Sequence, residues 1–157
     1  MDIHAATLDD IASICELADQ VNTTHHQELP GLFRDPAVTE GSKEFWSKQL
    51  ELENTKVFVA SKQGSVVGFI TARITENTEL PFCTNNKVCR IGSIVVLESF
   101  QGKGIGGKLM GVIENWAKDS GAKDIRLEVM EFNKYARAFY ARNGYLVMSR
   151  IMAKSIA

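Results

Sequence analysis

The run Gln101-Gly102-Lys103-Gly104-Ile105-Gly106-Gly107-Lys108-Leu109 leaves a β-rich segment and enters a long amphipathic one. Glycine tolerates positive φ and lets a ligand approach the backbone closely. The first turn of a helix presents N–H groups without an intrahelical partner, with the helix dipole behind them. Together these make an anion site, and a phosphorylated ligand is expected there. Three nucleotide-site patterns overlap in the run. Gly102 to Lys108 fits G-x-x-x-x-G-K, but Leu109 stands where a P-loop needs Ser or Thr for Mg²⁺. Gly102, Gly104 and Gly107 fit G-x-G-x-x-G, with Glu128 downstream where a ribose-binding acid would sit. Only 50 residues follow Gly107, however, too few for the remaining units of a dinucleotide fold. The third pattern, Gln/Arg-x-x-G-x-G/A, is met by Gln101 to Gly106, and both flanks agree with it.

The elements around this turn follow from periodicity and punctuation. Thr7-x-x-Asp10 reads as a capping box ahead of Ile11, Ile14, Leu17, Ala18 and Val21, predicting a helix near 8–22. Residues 23–41, with His25, His26, Pro30, Gly31, Pro36 and Gly41, read as an irregular connection, and Ser42 opens a second helix to about 53. Lys56–Ser61 and Val66–Thr75 are strands joined at Gln63-Gly64, a hairpin signal. A polar loop over 76–87 precedes a strand at 88–97. After the glycine turn, Ile105, Leu109, Val112, Ile113 and Trp116 share one helix face, and Gly121 stops the helix. A strand over 125–130, a helix capped by Asn133 and ending before Gly144, and a terminal β segment over 145–156 complete the reading.

Composition bounds the class. The chain of 157 residues is expected to form one domain with its own core, without repeat or linker. Lys plus Arg number 18 against 19 Asp plus Glu, so no basic field would attract nucleic acid or anionic lipid. No apolar run approaches a membrane span, and no leader-like N-terminus is seen, so a cytoplasmic location is expected. Cys15, Cys83 and Cys89 lack metal-ligand spacing and read as reduced thiols; no metal site is expected.

Strand 88–97, the Gln101–Gly106 turn with its helix, and then Asn133-x-x-Ala136-x-x-Phe139-Tyr140-x-x-x-Gly144-Tyr145 together resemble the GNAT superfamily of N-acetyltransferases. The match covers roughly residues 57–148. The resemblance implies an α/β (α+β) fold with a mixed, mostly antiparallel sheet flanked by helices, splayed between the strands near 88–97 and 125–131. It implies acetyl-CoA as cosubstrate and no metal. The pantetheine arm would enter the gap beside Ile94, Val95 and Val96, and the N–H groups of Gln101, Gly102, Lys103, Gly104, Ile105 and Gly106 would hold the pyrophosphate. Gln101 stands where many members carry Arg, and Lys103 is either a replacement for that charge or a solvated lysine. Asn133 is either a contact to the pantetheine arm or a helix cap, or both.

The implied reaction sets three demands. An alkyl amine of pKa ~10.4 is protonated in all but about one molecule in 10³ to 10⁴ at pH 7, a penalty of roughly 4–5 kcal/mol that a base must relieve. The oxyanion asks for a preorganised N–H, which a splayed strand leaves free around 94–96. The leaving thiolate needs a proton, and Tyr140, matching a tyrosine commonly found there in the family, is the expected donor. Glu128, opposite Leu127 and Val129 by alternation, is the expected base, with Glu98 and ordered water as rivals. His25 and His26 are expected in a loop covering the acceptor. The reading is thus acetyl transfer to a primary amine by direct attack on the thioester. The acceptor is left open between a small molecule and a protein N-terminus or lysine, and a homodimer is left open. The alternative is a non-catalytic acyl-CoA-binding sensor or regulatory domain.

Overall fold

A computed structural model describes residues 1–156. Strands β1 (Asp2–Ala5), β2 (Thr55–Lys62), β3 (Ser65–Glu76), β4 (Lys87–Val96) and β5 (Asp124–Arg126) form one sheet in sequential order. The first four are antiparallel, and β5 runs parallel to β4. Helices α1 (Ile11–Glu28) and α2 (Ser42–Glu51) cover one face. Phe69, Val59, Val57 and Val95 there meet Ile11, Ile14 and Leu17 of α1 and Trp46 of α2. Helices α3 (Ile105–Asp119) and α4 (Lys134–Arg142) lie on the other face. Ile105, Leu109, Met110, Ile113 and Ala117 pack there on Val67, Ile70, Ala72, Cys89 and Ile91. The expected helical stripes are therefore the buried ones, with Met110 and Ala117 replacing Val112 and Trp116 at the deepest positions.

Local signals behave as their chemistry requires. Thr7 N–H donates to Asp10 Oδ2 at 2.8 Å ahead of α1. The β2–β3 turn holds Gln63 and Gly64 at φ 52° and 80°, the two positive angles of a tight hairpin. Asn133 Oδ1 accepts from Ala136 N–H at 3.0 Å and caps α4.

Three boundaries differ from expectation. Helix α1 runs through His25 and His26 to Glu28, so both histidines sit on its last turn rather than in a loop. Their rings bond to backbone, His25 to Val21 O at 2.9 Å and His26 to Phe33 O at 2.8 Å, and the second fastens the following connection to the helix end. The strand expected over 125–130 pairs only over Asp124–Arg126, because β4 parts from it beyond Arg90. The terminal segment expected as β over 145–156 has no paired strand among the described residues: its apolar residues come in runs, Leu146 to Met148 and Ile151 to Ala153, and no strand lies beside them.

Candidate functional site

The opening in the sheet is built by a bulge and a short strand. Thr71 pairs with Ser93 while Ala72 pairs with Ile91, so Gly92 is an extra residue in β4. A Cβ on Gly92 would stand 2.8 Å from Thr71 Oγ1. Beyond the bulge β4 keeps β3 as neighbour on one side and loses β5 on the other. Leu97 N–H donates to Val67 O at 2.8 Å, so alternation turns the backbone groups of Ile94 and Val96 to the opposite, open edge. Two free-edge residues therefore face a gap that a linear ligand with amide groups can enter.

The glycine turn closes one end of this gap. Gly104 has φ 79° and precedes the first residue of α3, as its lack of a Cβ permits. Among the described residues the N–H groups of residues 102–107 have no acceptor, which leaves a fan of donors at the positive end of a fifteen-residue helix. Such a fan suits a diphosphate and ordinary surface turns do not provide one. Gln101 Nε2 donates to Val96 O at 3.1 Å, tying the turn to the end of β4. Lys103 bends back: its Nζ donates to Ser99 O at 3.0 Å and stands 5.0 Å from the centre of the Phe100 ring.

Gln20, on α1, supplies a contact that sequence reading missed. Its Nε2 donates to the same Val96 carbonyl at 3.1 Å, and its Oε1 accepts from Glu98 N–H at 3.1 Å. One amide thus bridges the end of β4 and the turn that follows. The only signal in the sequence was a polar residue beside the apolar stripe of a helix, which elsewhere denotes solvent.

Helix α4 forms the facing wall. A Cβ on Gly106 would lie 3.0 Å from the Phe139 ring, so the missing side chain lets α4 sit tightly on the start of α3. Tyr140 follows, with the rings of Phe139 at 5.4 Å and Tyr145 at 5.9 Å. Burial pushes its hydroxyl up from 10.0 to about 12. That hydroxyl makes no side-chain hydrogen bond among the described residues. The cleft, about 600 Å³, is lined by Ile94, Val95, Val96, Gln101, Gly104, Asn133 and Tyr140 among others, and His25 and Glu98 reach it. His25 Nδ1 lies 2.9 Å from Val21 O and donates to it, which leaves Nε2 as the ring nitrogen without a partner among the described residues. The edges of Phe33 and Phe132 hold the ring at 4.9 and 5.1 Å.

The structure thus gathers most of the expected residues and leaves three outside, the first being Lys103, which bends back to Ser99 O and does not line the cleft. Glu128 is exposed on the irregular stretch after β5 and does not line the cleft. His26 is engaged with Phe33 and does not line it either. Among the described residues no helix is long and apolar enough to cross a membrane.

Comparison with known proteins places this geometry. The model of the acetyltransferase (GNAT) family matches residues 19–145. The uncharacterized N-acetyltransferase YhfO of Bacillus subtilis is 26% identical over 145 residues, 92% of this chain and 89% of that protein. A mutant of the BH1408 protein of Bacillus halodurans superposes with a TM-score of 0.93 at 25% identity, covering 100% of both chains. The aminoglycoside N-acetyltransferase AAC(6')-Iy, solved with the bisubstrate analogue CoA-S-monomethyl-acetylneamine, superposes with a TM-score of 0.77 at 17% identity. That match covers 99% of this chain and 97% of the other.

Proposed function

The chain belongs to the acetyltransferase (GNAT) family and is an N-acetyltransferase, and on that premise we propose that it binds acetyl-CoA in the cleft between β4 and α4 and transfers the acetyl group directly to a primary amine. The observation that carries this reading is the meeting of a β4 edge that no strand covers at Ile94 and Val96, where Gln20 and Gln101 take the Val96 carbonyl but leave the N–H groups, with six N–H groups over 102–107 that have no acceptor among the described residues. The first suits the amides of a pantetheine arm and the second suits a pyrophosphate. The residues fit the cosubstrate: Gln101 holds the turn to Val96, Asn133 already caps α4 and also lines the cleft, and Tyr140 stands on the opposite wall.

Direct attack needs the amine neutral, the carbonyl polarised and the thiolate protonated. The backbone N–H groups of the free edge are suited to polarise the thioester carbonyl. Tyr140 is the proposed acid. The base is assigned to Glu98, or water that it holds, because Glu98 lines the cleft while Glu128 lies outside it. Glu98→Gln should flatten the acidic limb of the pH profile of kcat/KM, or lower the rate by on the order of 10² at every pH. Glu128→Gln should leave the limb in place. The reverse pattern returns the base role to Glu128, and two unaltered profiles give it to water alone.

The acceptor is proposed to be a small-molecule amine, a reading supported by the amine-bearing analogue in AAC(6')-Iy. His25, on the α1 side of the cleft between two aromatic edges, is proposed to contact it through Nε2. Removal of one such hydrogen bond, about 0.5–1.5 kcal/mol, should raise the acceptor KM roughly twofold to twelvefold in His25→Ala, with acetyl-CoA affinity constant. His26→Ala should act on stability and leave both unchanged. A His25→Ala enzyme with unaltered KM for every accepted amine would remove it from the acceptor site. The reaction itself is tested by free-thiol release from acetyl-CoA over a panel of polyamines, aminoglycosides, amino acids and peptides. Absence of release with all of them, in a chain that binds CoA, would overturn the proposal.

A further inference from the structure

Three arginines stand side by side across the sheet. Arg73 on β3 is the register partner of Arg90 on β4, and Arg90 is the partner of Arg126 on β5. Ala72, Cys89 and Ile91 pack under α3, with Ile74, Ile125 and Leu127 against the same cluster. Alternation therefore turns all three arginines to the opposite face, which α1 and α2 cover only in part. Arg73 and Arg90 are exposed there, and Arg126 is half-buried. Like charges directly opposite one another on antiparallel strands are destabilising. The same two strands follow the ordinary rule three residues further on, where Glu76 stands opposite Lys87.

Little within the chain neutralises this row. Arg126 Nη2 donates to Asp124 Oδ2 at 2.9 Å. Arg73 and Arg90 make no ion pair among the described residues, nor does Glu128, two residues beyond Arg126. Arg126 Nε is buried with no hydrogen-bond partner among the described residues, and a buried donor left unmade costs free energy. The row also lies on the side from which an acceptor would come. The glycine turn, α3 and α4 build the cosubstrate site on one face, so an amine reaches the thioester from the other, where Gln20 and His25 of α1 line the cleft. Arg90 precedes Ile94 by four positions on β4, roughly 10 to 13 Å with the bulge at Gly92 between them. Ser93 and Val95 carry the same face from the row to the opening.

We propose that Arg73, Arg90 and Arg126 seat an anionic group of the acceptor, so that the substrate is a primary amine carrying a carboxylate or a phosphate at the far end of its body. A guanidinium fork takes either oxyanion through two parallel N–H···O bonds, and the anion relieves the like-charge contact that the empty row maintains. The inference rests on the acetyl-transfer reading and narrows its acceptor from amines in general to anionic ones.

The test is free-thiol release from acetyl-CoA over straight ω-amino carboxylic acids of increasing length, each against its own amide, and over aminoalkyl phosphates against the corresponding amino alcohols. Once the chain is long enough to reach from the opening to the row, kcat/KM for the anionic member should exceed that for its neutral counterpart by on the order of 10- to 10²-fold. The larger of the two ratios tells which oxyanion the row takes. In Arg73→Gln and in Arg90→Gln the ratio should fall toward one, a readout that cancels any general loss of activity. Both variants should melt no lower than the parent, because a like-charge contact is removed. Equal rates for anionic and neutral members at every length would overturn the proposal and leave the row to an acidic partner surface, while acetyl transfer stands. A ratio that survives in both variants would overturn it too, by placing the anion elsewhere. If neither variant folds, the ratios of the intact chain decide alone. Absence of thiol release with every amine, in a chain that binds CoA, would instead overturn the acetyl-transfer reading and this inference with it.

Discussion

Tyr140→Phe is expected to lower kcat by on the order of 10² to 10⁴ while moving neither KM by more than about twofold. The ring stays, so the contacts with Phe139 and Tyr145 stay; only the proton is lost, and only the transition state uses it. Burial raises the hydroxyl to about 12, which would make it a poor acid toward a thiolate in water, where a thiol sits near 8.5. The cleft changes the comparison, because the same desolvation acts on the leaving sulfur. Cys89 illustrates the size of that effect in this protein: buried and without a charged partner, its thiol is pushed from 9.0 up to about 11. A thiolate expelled against the same wall as the phenol shares its desolvation, so the two are closer in proton affinity than their solution values suggest. The raised hydroxyl also has a stability signature. The folded chain holds this proton more tightly than the unfolded one, so its contribution is complete below pH 10 and is lost as pH rises through 12. Tyr140→Phe should therefore show a shallower alkaline fall in stability than the parent. A variant with parental kcat would reduce Tyr140 to packing.

How much of this was legible beforehand depends on the distance over which each feature is determined. The hairpin at Gln63-Gly64, the Asn133 cap and the glycine turn are set by residues within a few positions of one another, and all three stand where the sequence put them. The opening of the sheet is not of that kind. It needs Gly92 to be extra against Thr71, a register fact of two strands far apart in sequence, and the end of β5 at Arg126 follows from it. Alternation correctly exposes Glu128 relative to Leu127 and Val129, but alternation cannot say whether the face it reaches is a cleft or solvent. His25 and His26 were read as loop together with Pro30, Gly31, Pro36 and Gly41, the breakers that follow them; bonds from their rings to Val21 O and Phe33 O accompany a helix that continues to Glu28 before those breakers act. Gln20 was silent for a related reason: its role exists only because α1 crosses the end of β4.

The turn itself yields the second large effect, through two variants whose stabilities should move in opposite directions while both lose the cosubstrate. Gly104→Val meets no atom within 4 Å, so sterics of packing do not oppose it. Its φ of 79° does: a β-branched residue held there stores about 1–3 kcal/mol of backbone strain, and relaxing that strain re-aims the N–H fan. Thermal stability and CoA affinity should fall together. Gly107→Glu separates them. Position 107 has ordinary helical backbone, open space for a side chain and a place on the cleft wall. Replacing glycine in a helix by a better helix former, with an acid in the first turn, should hold or raise stability by up to about 1 kcal/mol. The same carboxylate competes with phosphate for the free N–H groups and repels it. At 4 Å and an effective dielectric near 20 that repulsion is about 4 kcal/mol, reduced by salt at so exposed a site. A loss of CoA affinity on the order of 10²-fold by titration calorimetry, in a protein melting no lower than its parent, is the expected result. Unchanged affinity in that stable variant would place the pyrophosphate away from residues 102–107.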